Sequence, residues 1–452
     1  MKCLCIVPYE YTTITMMYRN SPVGIYKVAT KLRREGHTVE LFNMYPLYRP
    51  RKFMEMKPEG MYFKGIPVSQ FVGYKKCGNF ENEKLCREFH RLGLPISELT
   101  KKLEEFQPDR IFIGNTFTFL WRAVYEIVAE CKRVMPKVPV KVGGLYVYAI
   151  LCPQHAKTSG ADEIMTLEEK TAADNFIKID VDLFGDNLPE RIFLGTSVGC
   201  PNHCTYCAVH IVEGCTKVNT NPDEVVSELK YYKSMGITKF IFLDANILYG
   251  YENHFKIILD KVIQENLNLG LYSYGGVEAR LLTDDIAEKM VKAGFHSVNI
   301  PIESASDIII KEWKRNCFVA DWERAMNVAK RHFQRLRSFL IIGAPNQATE
   351  DIKSTIDLIK SYGAEAVTLP YTPIPGTPDY EQYKHIDLED LNPEFYPCAH
   401  EKMRAADLEK FYSENRNVRV CLRNWNDVQQ KIPPPTKTIF ESGAAVKTKG
   451  GI

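Results

Sequence analysis

Apolar positions along the first 170 residues switch repeatedly between short runs and helical spacing. Residues 2–8 form an apolar run sized for a buried strand. Apolar side chains then recur at helical spacing (Val23, Ile25, Val28, Ala29, Leu32) until Gly36 stops the pattern. Residues 38–42 alternate like a strand. The same reading predicts helices over 96–106 and 121–134, and strands over 110–115, 138–143 and 163–165. Strands that alternate with helices predict an α/β unit with a parallel, doubly wound sheet, because parallel strands need crossovers. Such sheets bind ligands at the carboxyl ends of their strands. Those ends read Pro8-Tyr9-Glu10, Gly114-Asn115-Thr116 and Gly143-Gly144-Leu145-Tyr146.

A polar connector over 171–190 leads into a second, more regular series. Strands are predicted over 192–197, 239–245, 269–276, 297–303, 338–345 and 366–373. Helices fall between them, over 222–235, 252–266, 283–293, 319–331 and 349–362. Thr283-Asp284-Asp285 and Thr349-Glu350-Asp351 read as helix-opening caps. Six strands joined this way predict a partial barrel, short of the eight that close one. The chain thus divides into 1–170 (interrupted by an insertion over about 45–95), 171–190, 191–380 and 381–452. The insertion is aromatic and basic (Arg49, Arg51, Lys52, Lys75, Lys76), which suits a substrate-docking lid or an ordinary surface excursion with snorkelling cations. Beyond Asp379 the periodicity weakens, residues 433–435 are all proline, and the Gly/Lys end reads as a flexible tail.

Composition adds exclusions. A net charge of +2 leaves no footprint for nucleic acid or an acidic membrane surface. No apolar run reaches the roughly 18 residues of a membrane span, and the opening run is too short for a signal-peptide core. The expectation is a soluble cytoplasmic protein. Thirteen cysteines are scattered except for one group. Cys3, Cys5, Cys77, Cys86, Cys131, Cys152, Cys317, Cys398 and Cys421 read as structural.

That group is Gly199-Cys200-Pro201-Asn202-His203-Cys204-Thr205-Tyr206-Cys207. A short loop can bring three such thiolates to three corners of a cubane cluster, leaving the fourth iron open for a ligand. Zinc competes, with His203 or Cys215 as a fourth ligand. Cys215 also stands as a candidate auxiliary thiol.

The CxxxCxxC loop after the first strand of a partial barrel, with aromatic Tyr206 before its last cysteine, resembles the radical S-adenosylmethionine (SAM) superfamily. The likeness extends over about 190–380. Asp244 ends the second strand, Glu278-Ala279-Arg280 follows the third, and Ile302-Glu303-Ser304 resembles the family's "GIES" segment. Ile341-Ile342-Gly343-Ala344-Pro345 resembles the segment that backs the adenine, and Pro373-Ile374-Pro375-Gly376-Thr377-Pro378 the "PxPGT" turn. The resemblance implies a 4Fe–4S cluster on Cys200, Cys204 and Cys207, with its open iron binding SAM. Reductive cleavage of SAM would yield a 5′-deoxyadenosyl radical. It further implies SAM contacts from Tyr206, Asp244, Glu278, Arg280, Glu303, Gly343 and Pro345, with Arg280 able to clamp a carboxylate. A flavodoxin or ferredoxin would supply the electron.

A doubly wound unit before the barrel resembles the cobalamin-binding branch of that superfamily. The matching positions are Asn115, Thr116, Thr118, Gly143, Gly144 and Tyr146, whose small loops would leave room for a large planar ligand. The Asp-x-His-x-x-Gly motif that supplies a lower axial histidine is absent, and Leu167-Glu168-Glu169 stands where the branch often has Gly-Glu. The branch implies methyl transfer from SAM through cobalt to an unactivated carbon of a small molecule. Tyr206, Tyr272 and Tyr274 are candidates near the mouth. Three readings compete: radical rearrangement, cyclisation or oxidation without methyl transfer; a degenerate first domain kept for packing; and a non-catalytic iron–sulfur redox protein. RNA methylthiolation is disfavoured, since no basic patch and no second cysteine triad are visible.

Overall fold

In a computed structural model, residues 1–13, 23–45, 62–63, 66–77, 85–115, 117–143, 148–169, 176–185, 188–398, 403, 405–415 and 423–424 are described. The first sheet is built from β1 (Lys2–Val7), β2 (Thr38–Asn43), β3 (Arg110–Ile113), β4 (Val140–Val142) and β5 (Glu163–Ile164). Its order is β5-β4-β3-β1-β2, and every pair is parallel. Helix α1 (Val23–Arg34) carries the chain from β1 to β2 on one side. Helices α2 (Ile96–Phe106) and α3 (Trp121–Val134) serve β3 and β4 on the other. The winding therefore reverses between β1 and β3, and Tyr9 and Asn115 flank that crevice, where open α/β sheets take ligands.

The expected small loops work differently from the sequence reading. A side chain on Gly114 would meet Ile25 of α1 at 2.9 Å, and one on Gly143 (φ +157°) would overlap Met165. Both glycines make way for the protein's own packing. Thr116, Gly144 and Tyr146 lie outside the described residues.

Six parallel strands form the second unit: β6 (Arg191–Leu194), β7 (Lys239–Phe242), β8 (Gly270–Ser273), β9 (Ser297–Asn299), β10 (Arg335–Ile342) and β11 (Glu365–Pro370). They pair as two three-stranded halves, β6-β7-β8 and β9-β10-β11, linked by a bridge between Leu271 and Phe295. Helices α4 (Pro222–Ser234), α5 (Phe255–Gln264), α6 (Asp284–Ala293), α7 (Val319–His332) and α8 (Thr349–Ser361) alternate with them. Thr283 caps α6 by accepting from Ile286 N. At α8 the cap is shifted: Asp351 accepts from Ala348 N at 2.8 Å, so Thr349 is already helical. A 3₁₀ turn over Tyr251–Asn253 delays α5 to Phe255.

The connector straps the two units together. Tyr232 of α4 bonds both Ile179 N (3.0 Å) and Ile179 O (3.1 Å). Asp180 N donates to Thr30 of α1 at 3.0 Å, and Asp182 pairs with Arg33 at 2.5 Å. One apolar core runs through both units.

The insertion is neither a simple excursion nor a loop. Ser69–Cys77 and Leu85–Leu92 pair as an antiparallel ribbon, and the second edge of Leu85–Leu92 is taken by Glu10–Thr12 at one end and Arg423–Asn424 at the other. Lys75 pairs with Glu389 (2.6 Å) and Asp390 (2.9 Å). Buried Arg87 donates to Glu394 O (2.6 Å) and pairs with Glu409 (2.7 Å) of α9 (Ala405–Glu414). The weakly patterned C-terminal segment is thus held by the ribbon. Arg49, Arg51, Lys52, Cys421, the prolines at 433–435 and the Gly/Lys end lie outside the described residues.

Overpacking of a filled site costs about 1–3 kcal/mol. Gly114→Ala should therefore lower the unfolding free energy by about that much. Combining it with Ile25→Ala should cost less than the sum of the two single changes, a coupling measurable in a denaturant double-mutant cycle.

Candidate functional site

The cysteine loop begins where β6 ends, and buried Asp244 anchors its root. Its carboxylate accepts from Thr196 N (3.0 Å), Thr196 Oγ1 (2.7 Å) and Ser197 Oγ (2.5 Å). Residues Ser197–Val198 then pair antiparallel with Val218–Asn219, so the loop returns to its origin. Cys200 N donates to Gly214 O (3.1 Å), Gly199 N to Glu213 Oε2 (3.3 Å), and Cys207 N to Cys204 O (3.1 Å). Lys217 closes the lobe by donating to the carbonyls of Asn246 (2.9 Å), Ile247 (3.3 Å) and Tyr249 (2.7 Å). Asp244 is thereby a brace for the loop, with three of its roughly four acceptor sites taken.

Cys204 is buried, and Cys200 and Cys207 are half-buried. Burial pushes all three thiols up, Cys207 to about 12; Cys204 further raises Cys200, and both raise Cys207. Ionised together, they need positive charge among them. Among the described residues no three His, Cys, Asp or Glu side chains are grouped to hold a single metal ion. Cys215 is exposed, 4.0 Å from the His210 carbonyl, and the His203 ring packs on His210 at 5.2 Å. Neither proposed fourth ligand joins the triad. A cubane asks something different, one thiolate per iron corner, and the three-thiol donor set fits that demand.

Beside the loop lies a buried lattice that sequence reading found only in part. Tyr206 stacks edge-on against Trp313 at 5.5 Å, and Thr205 N donates to Trp313 O at 3.0 Å. Arg315 donates to Tyr206 Oη (3.3 Å) and Pro301 O (3.0 Å), and pairs with Glu303 at 3.5 Å. Glu303 sits in left-handed backbone (φ +63°), and burial pushes its carboxyl up against the pull of Arg315. Nothing in the local pattern around Trp313-Lys314-Arg315 marks this arginine. Glu278 forms a second node, accepting from Asn202 of the cysteine loop (3.4 Å) and from Asn246, and pairing with Arg280. Arg280 does clamp a carboxylate, but it is the protein's own.

Buried polar atoms in and near these segments that lack a hydrogen-bond partner among the described residues include Thr205 Oγ1, Asn246 Oδ1, Glu303 Oε2 and Thr372 Oγ1. Unpaired polar atoms are costly unless a ligand completes them, so the mouth fits a polar cofactor such as SAM. A side chain on Gly343, before half-buried Pro345, would meet Leu408 of α9 at 3.7 Å. One on Gly376 would meet Ile211 at 3.6 Å and Leu151 of the first unit at 3.7 Å. Gly376 thus marks where the first unit, the segment after the cysteines and the last barrel turn meet. In the first unit, buried Asn115 Nδ2 at the β3 end has no partner among the described residues, and Thr118 is buried nearby in a 3₁₀ turn. That orphan donor fits an acceptor on a ligand in the crevice.

Residues 194–359 match the family model of the Radical SAM superfamily. Its members work with a 4Fe–4S cluster and SAM. The tRNA-2-methylthio-N(6)-dimethylallyladenosine synthase of Saccharopolyspora erythraea is 25% identical over 254 residues, 51% of this chain and 51% of that protein. The Thermus thermophilus counterpart is 26% identical over 228 residues, 49% of this chain and 47% of that protein. The chain spans about half the length of the curated relatives it matches. Among solved structures, the radical SAM methyltransferase TsrM of Kitasatospora setae, with tryptophan and a SAM analogue bound, superposes with a TM-score of 0.59. Identity is 14%, covering 85% of this chain and 76% of that one. The cobalamin-dependent radical SAM enzyme OxsB, with aqua-cobalamin and SAM bound, gives 0.53 at 14% identity, covering 96% and 63%. These two likenesses establish the architecture: a cobalamin-domain-type α/β unit followed by a radical SAM barrel.

Asp244→Ala should strand three donors, each costing about 1–3 kcal/mol. Reconstituted protein should then hold markedly less iron at a lowered melting temperature, while Asp244→Asn, which keeps one acceptor, falls between. Iron assay beside thermal melts reads both effects.

Proposed function

We propose that the chain is a cobalamin-dependent radical SAM enzyme that methylates an unactivated carbon of a small molecule. The observation that carries the reading is the junction at Gly376. There Leu151, beyond the β4 end of a doubly wound sheet, and Ile211, beside the cysteine loop, both border the same glycine. A ligand in the first unit's crevice would then face the barrel mouth. Both TsrM and OxsB combine this architecture with radical SAM chemistry, and OxsB holds aqua-cobalamin and SAM.

In this reading Cys200, Cys204 and Cys207 hold the cluster. Tyr206, Glu303, Gly343 and Pro345 frame SAM, with Asp244, Glu278 and Arg280 bracing the site from behind. Asn115 and Thr118, with Thr116, Gly143, Gly144 and Tyr146, border the cobalamin. When bound, the cluster supplies the electron that breaks a carbon–sulfur bond of SAM, and cobalamin supplies a methyl carrier. The protein's own residues orient these groups and keep water from them. Residues 1–170 and 191–380 are the two working units, and a flavodoxin or ferredoxin donates the electron. No helix among the described residues is long and apolar enough to cross a membrane, and a cytoplasmic setting accords with exposed Cys215 remaining a thiol. The tRNA modification named for the curated relatives is not transferred: identity is 25% over half the chain, and a net charge of +2 offers no phosphate-binding footprint.

Anaerobic expression with hydroxocobalamin, followed by cluster reconstitution, tests the reading. It predicts about one corrinoid beside about one cluster per chain. A full cluster without retained corrinoid would overturn methyl transfer through cobalt.

A further inference from the structure

The barrel lumen has two chemically distinct walls. In β6, β7 and β8, Ile192, Leu194, Phe240, Phe242, Leu271 and Ser273 are buried, so the alternating positions face inward. Those positions form two rows in register: Arg191–Lys239–Gly270, whose two cations pair with Glu190, and above it Phe193–Ile241–Tyr272. Tyr272 is 36% exposed and Tyr274, beyond it, 56%, and the Tyr274 ring meets Phe193 edge-on at 6.4 Å. This wall is aromatic and open.

The facing row is Asn299–Arg337–Glu365, also in register. Its alternates point outward: buried Ser338 bonds the Trp322 indole of α7 at 3.1 Å. Arg335 takes Glu365 with two bonds of 2.7 Å each. Arg337 is left with a 3.6 Å ion contact to that carboxylate and makes no hydrogen bond through its side chain among the described residues. Beside it, buried Asn299 Oδ1 has no partner, while Asn299 Nδ2 reaches Ser273 O at 3.4 Å and ties the two halves. A half-buried guanidinium with spare donors, opposite an open aromatic wall, is arranged for a planar anion.

We propose that the substrate carries a carboxylate or phosphate bound by Arg337 and a flat or apolar body laid against Phe193, Tyr272 and Tyr274, with Asn299 Oδ1 accepting from a neighbouring N–H or O–H. Arg337 lies four residues below Ile341 on β10, about 13 Å at strand rise, so the substrate is elongated, its anion deep and its reacting end at the mouth. This inference rests on the radical-enzyme reading of the same barrel and names its substrate class.

Calorimetric binding of 6-phenylhexanoate, 5-phenylpentyl phosphate and neutral 6-phenylhexanamide to the cluster-loaded chain tests it. At least one anion should bind about tenfold or more tighter than the amide, and the better of the two identifies the anion type. Arg337→Met should erase that preference and leave the amide unchanged, while Tyr272→Ala should weaken all three. Arg337→Met should keep wild-type iron content and substrate-free SAM cleavage, so loss of those would indict the cluster reading and not the substrate class. Should Arg337→Met not fold, phenylglyoxal should modify Arg337 in the wild-type chain, with 6-phenylhexanoate protecting it. Equal binding of anions and amide, absence of anion binding, a preference that survives Arg337→Met, or no protection would each overturn the proposal.

Discussion

Three thiols held side by side in one half-buried loop resist ionisation, because removing water from a thiolate costs more than its own chemistry returns. Burial lifts Cys207 to about 12 and raises Cys200 and Cys204 as well. Such a loop makes physical sense around a polycationic cluster, whose irons take the thiolates as ligands. Much of the second unit can be understood as support for it. Asp244 fixes its root, Lys217 ties its return to the β7 end, Glu278 reaches it through Asn202, and the Trp313–Arg315 segment packs against Tyr206.

The division of labour between the units follows from where their strands end. Both are parallel, so both present loops at carboxyl ends, where helices and irregular backbone leave unpaired polar groups. In the first unit the clearest such group is Asn115 Nδ2; in the second they include Thr205 Oγ1, Asn246 Oδ1 and Glu303 Oε2. The strap over 179–182 and the contacts at Gly376 tie the units at separate places. A ribbon and C-terminal helix then buttress the outside, with buried Arg87 bonded to Glu394 and Glu409.

Periodicity located every strand of both parallel sheets, because buried parallel strands read as apolar runs with little else competing. It erred where polar residues face a lumen or a second segment. β10 begins at Arg335, three residues before the apolar run suggested, since Arg335 and Arg337 carry charge on its inner face. The ribbon escaped notice because Lys75 and Lys76 break its alternation and the strands that extend it, Glu10–Thr12 and Arg423–Asn424, are distant in sequence. Cysteine spacing made the cluster loop legible, since three ligands on one short loop are a local fact. Arg315 was not legible, because its role depends on Tyr206, 109 residues earlier. The glycines at 114 and 143 stand out in the sequence, but only the fold reveals that Ile25 and Met165 pack against them.

The central claim is that the triad holds a 4Fe–4S cluster with one iron left for SAM. Electron paramagnetic resonance of the reduced, reconstituted protein, recorded with and without SAM, tests this directly. The account predicts a cluster signal whose shape changes when SAM is added, and which is lost in Cys204→Ala. A cluster signal indifferent to SAM would mean a closed, non-catalytic centre and would contradict it.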